Sequence, residues 1–354
     1  MPLMTNIGRH LVILFTVAFA AVSCGGDAGS DQAGGEGDCA QPQVKISQAV
    51  ASLAFMPVYI ASSEGFFEDQ GLEVEQIDTA GGGPDLQALI SGDVQFNAGA
   101  GTYQIDALSQ GRPITNVYNY MNRNIINVVL NEEAAEAAGV TADSPLKDKL
   151  AALEGTTIGV TRPGSLTDKV AQYLVRAGGM EPQSDVNVVA SGSGAVLIAA
   201  LREGQVDSIA MSSPVPEQAV QDGLGIMLVN NAQGDVPELD PFMMENIYTT
   251  EEYAEQNPGC VVKFVAAIHE ANQWILDQEP EAITESLSEA FAETDPEVLR
   301  EAVVNTRAAI SEDGVLTMES VENTLEMLGE TSVEAQQVFD LFTDEFVPGP
   351  GSDG

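Results

Sequence analysis

Residues 44–118 and 156–230 align without a gap at an offset of 112. Lys45–Ala49 (KISQA) falls on Thr157–Thr161 (TIGVT), and Val74–Ala80 (VEQIDTA) on Val186–Gly192 (VNVVASG). Leu86–Val94 (LQALISGDV) falls on Ile198–Val206 (IAALREGQV), and Gly111, Ile114 and Val117 on Gly223, Ile226 and Val229. A single register held over 75 positions points to duplication. The period is too long for a stacked solenoid, so the chain folds as two copies of one α/β unit.

Each copy reads β-α-β-α-β-α-β. Short β-branched runs mark the strands: Val44–Gln48, Val74–Ile77, Gln95–Ala98, Ile114–Tyr118 and their partners. Helix starts are chemically marked. Pro57 and Pro84 suit a first turn, where the missing N–H has no intrahelical partner to lose. Gly92 suits the left-handed residue that ends the second of these helices. Ser165 with Asp168 resembles a capping box, Gly178-Gly179 ends that helix, and Ser213-Pro214 opens another that stops near Gly223. Strands alternating with helices predict a mostly parallel sheet in each lobe, covered on both faces.

Two further apolar runs, Ile125–Leu130 (IINVVL) and Met244–Thr249 (MENIYT), sit where the chain leaves the first lobe and returns from the second. They are expected to pair, giving two crossover linkers. The resulting division is 44–130 with 245–347 for lobe 1, and 131–244 for lobe 2 with the linkers. From Pro258 to Phe346 the pattern is helical; Phe264, Ile268, Ala271, Trp274 and Ile275 form one stripe. Pro280, Pro296 and Ser320 mark later starts, and the block is expected to pack on lobe 1.

The chain has 354 residues, 13 Lys+Arg against 54 Asp+Glu, and a net charge of −41. That charge excludes nucleic acid and basic-patch binding to anionic lipid as roles. Arg9 and His10 precede an apolar run, Leu11–Val22, that ends in Ser23-Cys24-Gly25. A basic start and twelve apolar residues fit an export signal and are short for a membrane span. Residues 1–24 therefore read as a lipoprotein signal with Cys24 as the lipidated residue; Ala21, where such boxes carry Leu, leaves ordinary cleavage near Ala21 as the alternative. Residues 25–41 read as a flexible tether with a reach of roughly 20–25 Å. In an exported chain Cys39 and Cys260 either pair, tying the tether to the body, or stand as two thiols.

The chain resembles the bacterial solute-binding proteins of ABC importers that handle nitrate, sulfonates, taurine and thiamine pyrimidine precursors. The resemblance is carried by Pro57–Leu72 (PVYIASSEGFFEDQGL), Gly82–Asp93 (GGPDLQALISGD), Leu153–Ser165 (LEGTTIGVTRPGS) and Asn246–Pro258 (NIYTTEEYAEQNP). It implies a two-lobed, type 2 periplasmic-binding-protein-like fold. It also implies a monomer, lipid-anchored outside the cytoplasmic membrane, that closes on a small-molecule ligand and delivers it to ABC permease subunits. A ligand sensor for a membrane receptor is the alternative use of the same fold.

In doubly wound sheets ligands bind beyond the carboxyl ends of strands, beside helix N-termini. The 112-residue offset then pairs six loops across one cleft: Ala51–Phe55 with Pro163–Thr167, Gly81–Gly83 with Ser193–Ala195, and Gly99–Thr102 with Met211–Pro214. Candidate ligand contacts are Ser52, Phe55, Gly82, Gly83, Gly101, Thr102, Tyr103, Thr161, Arg162, Gly164, Ser165, Ser193, Gly194 and Ser212. Arg162 suits an oxyanion; Tyr103 and Phe55 suit a planar heterocycle. Met56, Met211 and Trp274 read as core.

An enzyme is disfavoured. Beyond the export signal the chain has one histidine, His269, inside an apolar helical stripe, and no G-x-S-x-G, H-E-x-x-H or Cys/His cluster. Nor is there a sign of the cysteine-rich motif associated with a pyrimidine-making eukaryotic relative. No cofactor and no metal are expected.

Overall fold

The computed structural model describes residues 39–79, 83–329 and 332–348. Ten strands follow one another: β1 Gln43–Gln48, β2 Glu73–Asp78, β3 Phe96–Ala100, β4 Thr115–Met121, β5 Asn127–Asn131, β6 Thr157–Val160, β7 Asn187–Ala190, β8 Ser208–Met211, β9 Gly225–Val229 and β10 Glu245–Thr249. They form two five-stranded sheets, ordered β2-β1-β3-β10-β4 and β7-β6-β8-β5-β9. The duplication is visible in that order. Adding 112 turns β2, β1, β3 and β4 into β7, β6, β8 and β9, in the same spatial sequence.

One slot in each sheet is filled from the other half of the chain. β10 runs antiparallel to both β3 and β4, and β5 antiparallel to both β8 and β9. In each sheet four strands therefore point one way and one points back. The expected pairing of Ile125–Leu130 with Met244–Thr249 does not form, because these runs complete different sheets. Both strands are buried over nearly their whole length. An apolar strand that belongs in a sheet interior carries no mark of which sheet will take it.

The chain passes between the sheets twice, through 122–126 and 230–244, and the two passages bond to each other. Phe242 N–H donates to Asn122 O at 2.8 Å, and Asn124 N–H to Leu239 O at 3.2 Å. Asn231 Nδ2 donates to Ile126 O at 2.6 Å, and Arg123 pairs with Asp240 at 2.8 Å.

Helix ends follow their local chemistry. Ser165 accepts from Asp168 N–H and opens the helix Leu166–Ala177. Gly92, at φ 80°, closes Pro84–Ser91. The late helix Met318–Leu328 is capped by Thr317 rather than Ser320; the Ser320 hydroxyl turns back to Thr317 O at 2.7 Å. The C-terminal block is not confined to lobe 1. Pro258–Asp277 and Pro280–Leu287 pack on Met56–Ser63, but Pro296–Arg307 also lies on Val215–Gln221, and Met318–Leu328 on Leu166–Ala177. His269 is a structural residue, with Nδ1 2.9 Å from the Tyr118 hydroxyl.

Cys39 and Cys260 form a disulfide across a separation of 221 residues. It fastens the segment ahead of β1 to the first turn of the helix Pro258–Asp277. Cross-linking so long a loop restricts the unfolded chain. Changing both cysteines to serine is expected to lower the unfolding free energy by about 2–4 kcal/mol. Urea titrations of the variant and of the reduced wild type should show the same loss; an unchanged midpoint would contradict it.

Candidate functional site

A cavity of about 50 Å³ lies between the two sheets. Its wall combines residues at or just past the carboxyl ends of β1, β3, β6 and β8 with Glu245, the first residue of β10, and Ile126, just ahead of β5. From the first lobe come Ser52, Phe55, Gly99, Tyr103 and Glu245; from the second come Thr161, Ser165, Thr167, Met211 and Ser212; Ile126 enters from the linker. Register explains the mixture. Glu245 pairs with Ala100, the last residue of β3, so an antiparallel strand begins where its parallel neighbour ends.

The lobes touch across this cavity. Ser52 Oγ lies 2.9 Å from Ser212 Oγ, and Leu53 N–H donates to Ser213 O at 2.9 Å. Lys169 of the second lobe pairs with Asp106 of the first at 2.7 Å.

One side of the wall is a triangle of hydroxyls at the start of the helix Leu166–Ala177. Thr161, Ser165 and Thr167 lie 2.9 Å apart in each pairing. Ser165 Oγ also donates to Arg162 O at 2.8 Å, which orients it. Hydroxyls at a helix N-terminus, beside unpaired N–H groups, favour acceptor atoms.

The first lobe contributes one carboxyl to the wall, Glu245, with a second, Asp85, behind Tyr103. Asp85 is fully buried and accepts from Tyr103 Oη at 3.1 Å and from Gly83 N–H at 2.7 Å. Burial raises its pKa above the ordinary value. Glu245 is 4% exposed, and its Oε2 has no hydrogen-bond partner among the described residues. Burial first, and the Asp85 carboxylate second, push the Glu245 pKa well above the usual carboxylate range. Burial, then Asp85 and Glu245, likewise raise the Tyr103 hydroxyl.

Of the residues expected from sequence, Ser52, Phe55, Tyr103, Thr161, Ser165 and Ser212 stand on the cavity wall. Gly82 lies outside the described residues, as does Cys24. Gly83, Gly101, Thr102, Arg162, Gly164, Ser193 and Gly194 are not on the wall. Gly101 packs against Met243 so closely that a Cβ there would come within 2.2 Å. Thr102 is buried behind it. Gly164 donates its N–H to Asp168 at 2.7 Å, inside its own turn. Arg162 offers the cavity loop its carbonyl, while its side chain is not part of the wall. Gly194 borders a separate recess with Arg202 and Asp222. Met211, expected as core, is buried and lines the cavity as well.

Glu245 is the main residue that the loop comparison passes over, because that comparison looks only beyond carboxyl ends of strands. A signal was present: one acid inside the apolar run Phe242–Tyr248 (FMMENIY). A charge in a strand interior is rare unless paired or used.

Two duplicated lobes, each completed by a strand of the other half and closing on a cavity between them, define the periplasmic binding protein fold. Residues 40–288 match the NMT1-like family, and the chain belongs to it. A solved structure from Bordetella bronchiseptica RB50 is 26% identical, with a TM-score of 0.75 over 87% of this chain and 96% of that one. The nitrate/nitrite binding protein NrtA of Synechocystis is 26% identical over 231 residues, 62% of this chain and 50% of that protein. This chain thus spans half of that relative's length. The alkanesulfonate-binding protein SsuA of Xanthomonas axonopodis pv. citri, solved with MOPS, shares the fold at 16% identity and a TM-score of 0.63, over 79% of this chain and 89% of that one.

The buried carboxyl sets a pH dependence. Its folded pKa lies above its unfolded one, so the folded state holds the proton more tightly. Its contribution is most favourable below the unfolded carboxylate pKa and is lost as pH rises toward the folded value. Glu245→Gln keeps the shape without the charge. It is expected to raise the melting temperature at pH 7–8 and to leave it little changed near pH 4. Thermal melts of both proteins across that range check the sign.

Proposed function

We propose that this chain is the extracytoplasmic solute-binding protein of an ABC importer. It captures a small organic solute between its lobes and hands it to the permease. The observation that carries this reading is the cavity between the sheets whose wall is shared by both copies of the repeat. A site assembled from two lobes is complete only when they meet, so occupancy and closure are coupled. Membership of the NMT1-like family supports the reading, as do the roles of NrtA and SsuA in binding nitrate/nitrite and alkanesulfonate. Cys24 as lipid anchor and residues 25–41 as tether belong to the same proposal. Among the described residues no helix is long and apolar enough to cross a membrane.

In this mechanism the open protein binds solute on one lobe and rotates about 122–126 and 230–244. Closure makes the contacts that bridge the cleft: Ser52 with Ser212, Leu53 with Ser213, and Lys169 with Asp106. Asn305, from a C-terminal helix packed on both lobes, adds a bond to Glu217 of the second lobe at 3.0 Å. Of these contacts, the partly exposed ion pair contributes only about 0–1 kcal/mol. Bound solute then decides whether the lobes stay together.

A thermal-shift screen of taurine, alkanesulfonates, nitrate and aminopyrimidines tests the reading. A ligand at 100 times its Kd is expected to add about 2.7 kcal/mol of stability. Small-angle scattering at saturation should show a smaller radius of gyration than the unliganded protein. Unchanged dimensions with a tight ligand bound would refute closure.

A further inference from the structure

Glu245 stands apart from the rest of the cavity wall. The hydroxyls of Ser52, Ser212, Thr161, Ser165 and Thr167 all have partners within 3.1 Å, as does Tyr103. Glu245 Oε2, in a side chain buried to 4% exposure, has none among the described residues. No lysine, arginine or histidine lines the cavity among the described residues. Behind the wall lies Asp85, a second carboxyl, which accepts from the Tyr103 hydroxyl and acts electrostatically on Glu245.

A buried carboxyl with an open oxygen and an acidic neighbour is costly unless something it binds compensates it. A bare oxyanion brings no hydrogen-bond donor to the open oxygen. A group that brings hydrogen-bond donors, or positive charge, would relieve both carboxyls at once. The hydroxyl triangle across the cavity offers the complementary end, where a ligand's acceptor atoms meet the N-terminus of a twelve-residue helix. Phe55 and Tyr103 supply apolar faces between the two ends.

We infer that Glu245 receives a nitrogen of the ligand, so that the transported solute carries an ammonium, amidinium or amino group and is not a bare oxyanion. The inference rests on the cleft being the ligand site and deepens that reading by naming the ligand class. Glu245 is the residue that selects it. The sheet register holds the carboxyl in place, since Glu245 is locked between Ala100 and Met121 on either side. Selection therefore does not depend on a loop finding its position.

The experiment uses the mature, disulfide-bonded chain and matched probes: taurine against ethanesulfonate, and 4-aminopyrimidine against pyrimidine. Affinities are measured by calorimetry for the wild type, Glu245→Gln, and two cleft-narrowing variants, Ser212→Leu and Ser165→Val, each checked for folding by circular dichroism. At least one amino probe is expected to bind about tenfold or more tighter than its amino-free partner, and Glu245→Gln should weaken it by a similar factor. Glu245→Gln should also melt higher than wild type at pH 7–8.

Equal binding of the amino-free partner overturns the inference. So does unchanged affinity in Glu245→Gln, failure of both amino probes to bind, or a lower melting temperature for Glu245→Gln, which would make the carboxyl structural. The two readings separate in the cleft variants. Binding that Ser212→Leu or Ser165→Val removes but Glu245→Gln leaves intact defeats only the nitrogen assignment. Binding that survives in both folded cleft variants defeats the cleft itself.

Discussion

The exchange of strands between the two sheets is the constraint on which the rest of this molecule depends. Each copy of the repeat supplies four parallel strands and leaves one interior slot open. β5 and β10 fill those slots only because the chain crosses from one lobe to the other and back. A slot left open would strip its neighbours of ladder hydrogen bonds and expose buried apolar faces, so neither lobe is complete without the chain of the other half. The crossings at 122–126 and 230–244 are thereby fixed in place, and among the described residues they are the two passages that connect strands of one sheet to strands of the other.

Placement of the site follows from the same exchange. Parallel strands bring their carboxyl ends to the gap, while the antiparallel ones bring their first residues. The gap therefore receives Ser52, Thr161 and Ser212 from loops, Tyr103 from the first turn of a helix, and Glu245 from a strand. The resulting wall is polarised. Hydroxyls backed by a helix N-terminus stand on the wall from the second lobe, whereas the Glu245 carboxyl stands on it from the first, with Asp85 buried behind Tyr103. Burial of these carboxyls costs stability, and the protein tolerates that cost where the lobes meet. Such local expense in a well-packed fold is typical of a working site.

Much of the fold was legible before the structure. The 112-residue offset predicted two lobes of one design, and Pro84, Gly92 and Ser165 marked helix ends because their chemistry acts on immediate neighbours. Strand partners were not legible. Ile125–Leu130 and Met244–Thr249 read alike, and only the whole sheet decides which slot each fills. The reach of the C-terminal helices was hidden for a similar reason. A stripe such as Phe264, Ile268 and Ala271 shows that one face is buried without showing against what.

The site divides along the same line. Sequence by itself determined that paired loops after the strands carry small and hydroxyl residues, because a repeat preserves positions along the chain. Tertiary structure decided which of them face the cavity: Gly101 packs on Met243, the Arg162 side chain is not on the wall, and Ser52 meets Ser212. It also decided that Glu245 belongs there. Direction of a strand within a sheet is a property of its neighbours, and antiparallel placement beside Ala100 turns the first residue of a buried strand into part of the cleft.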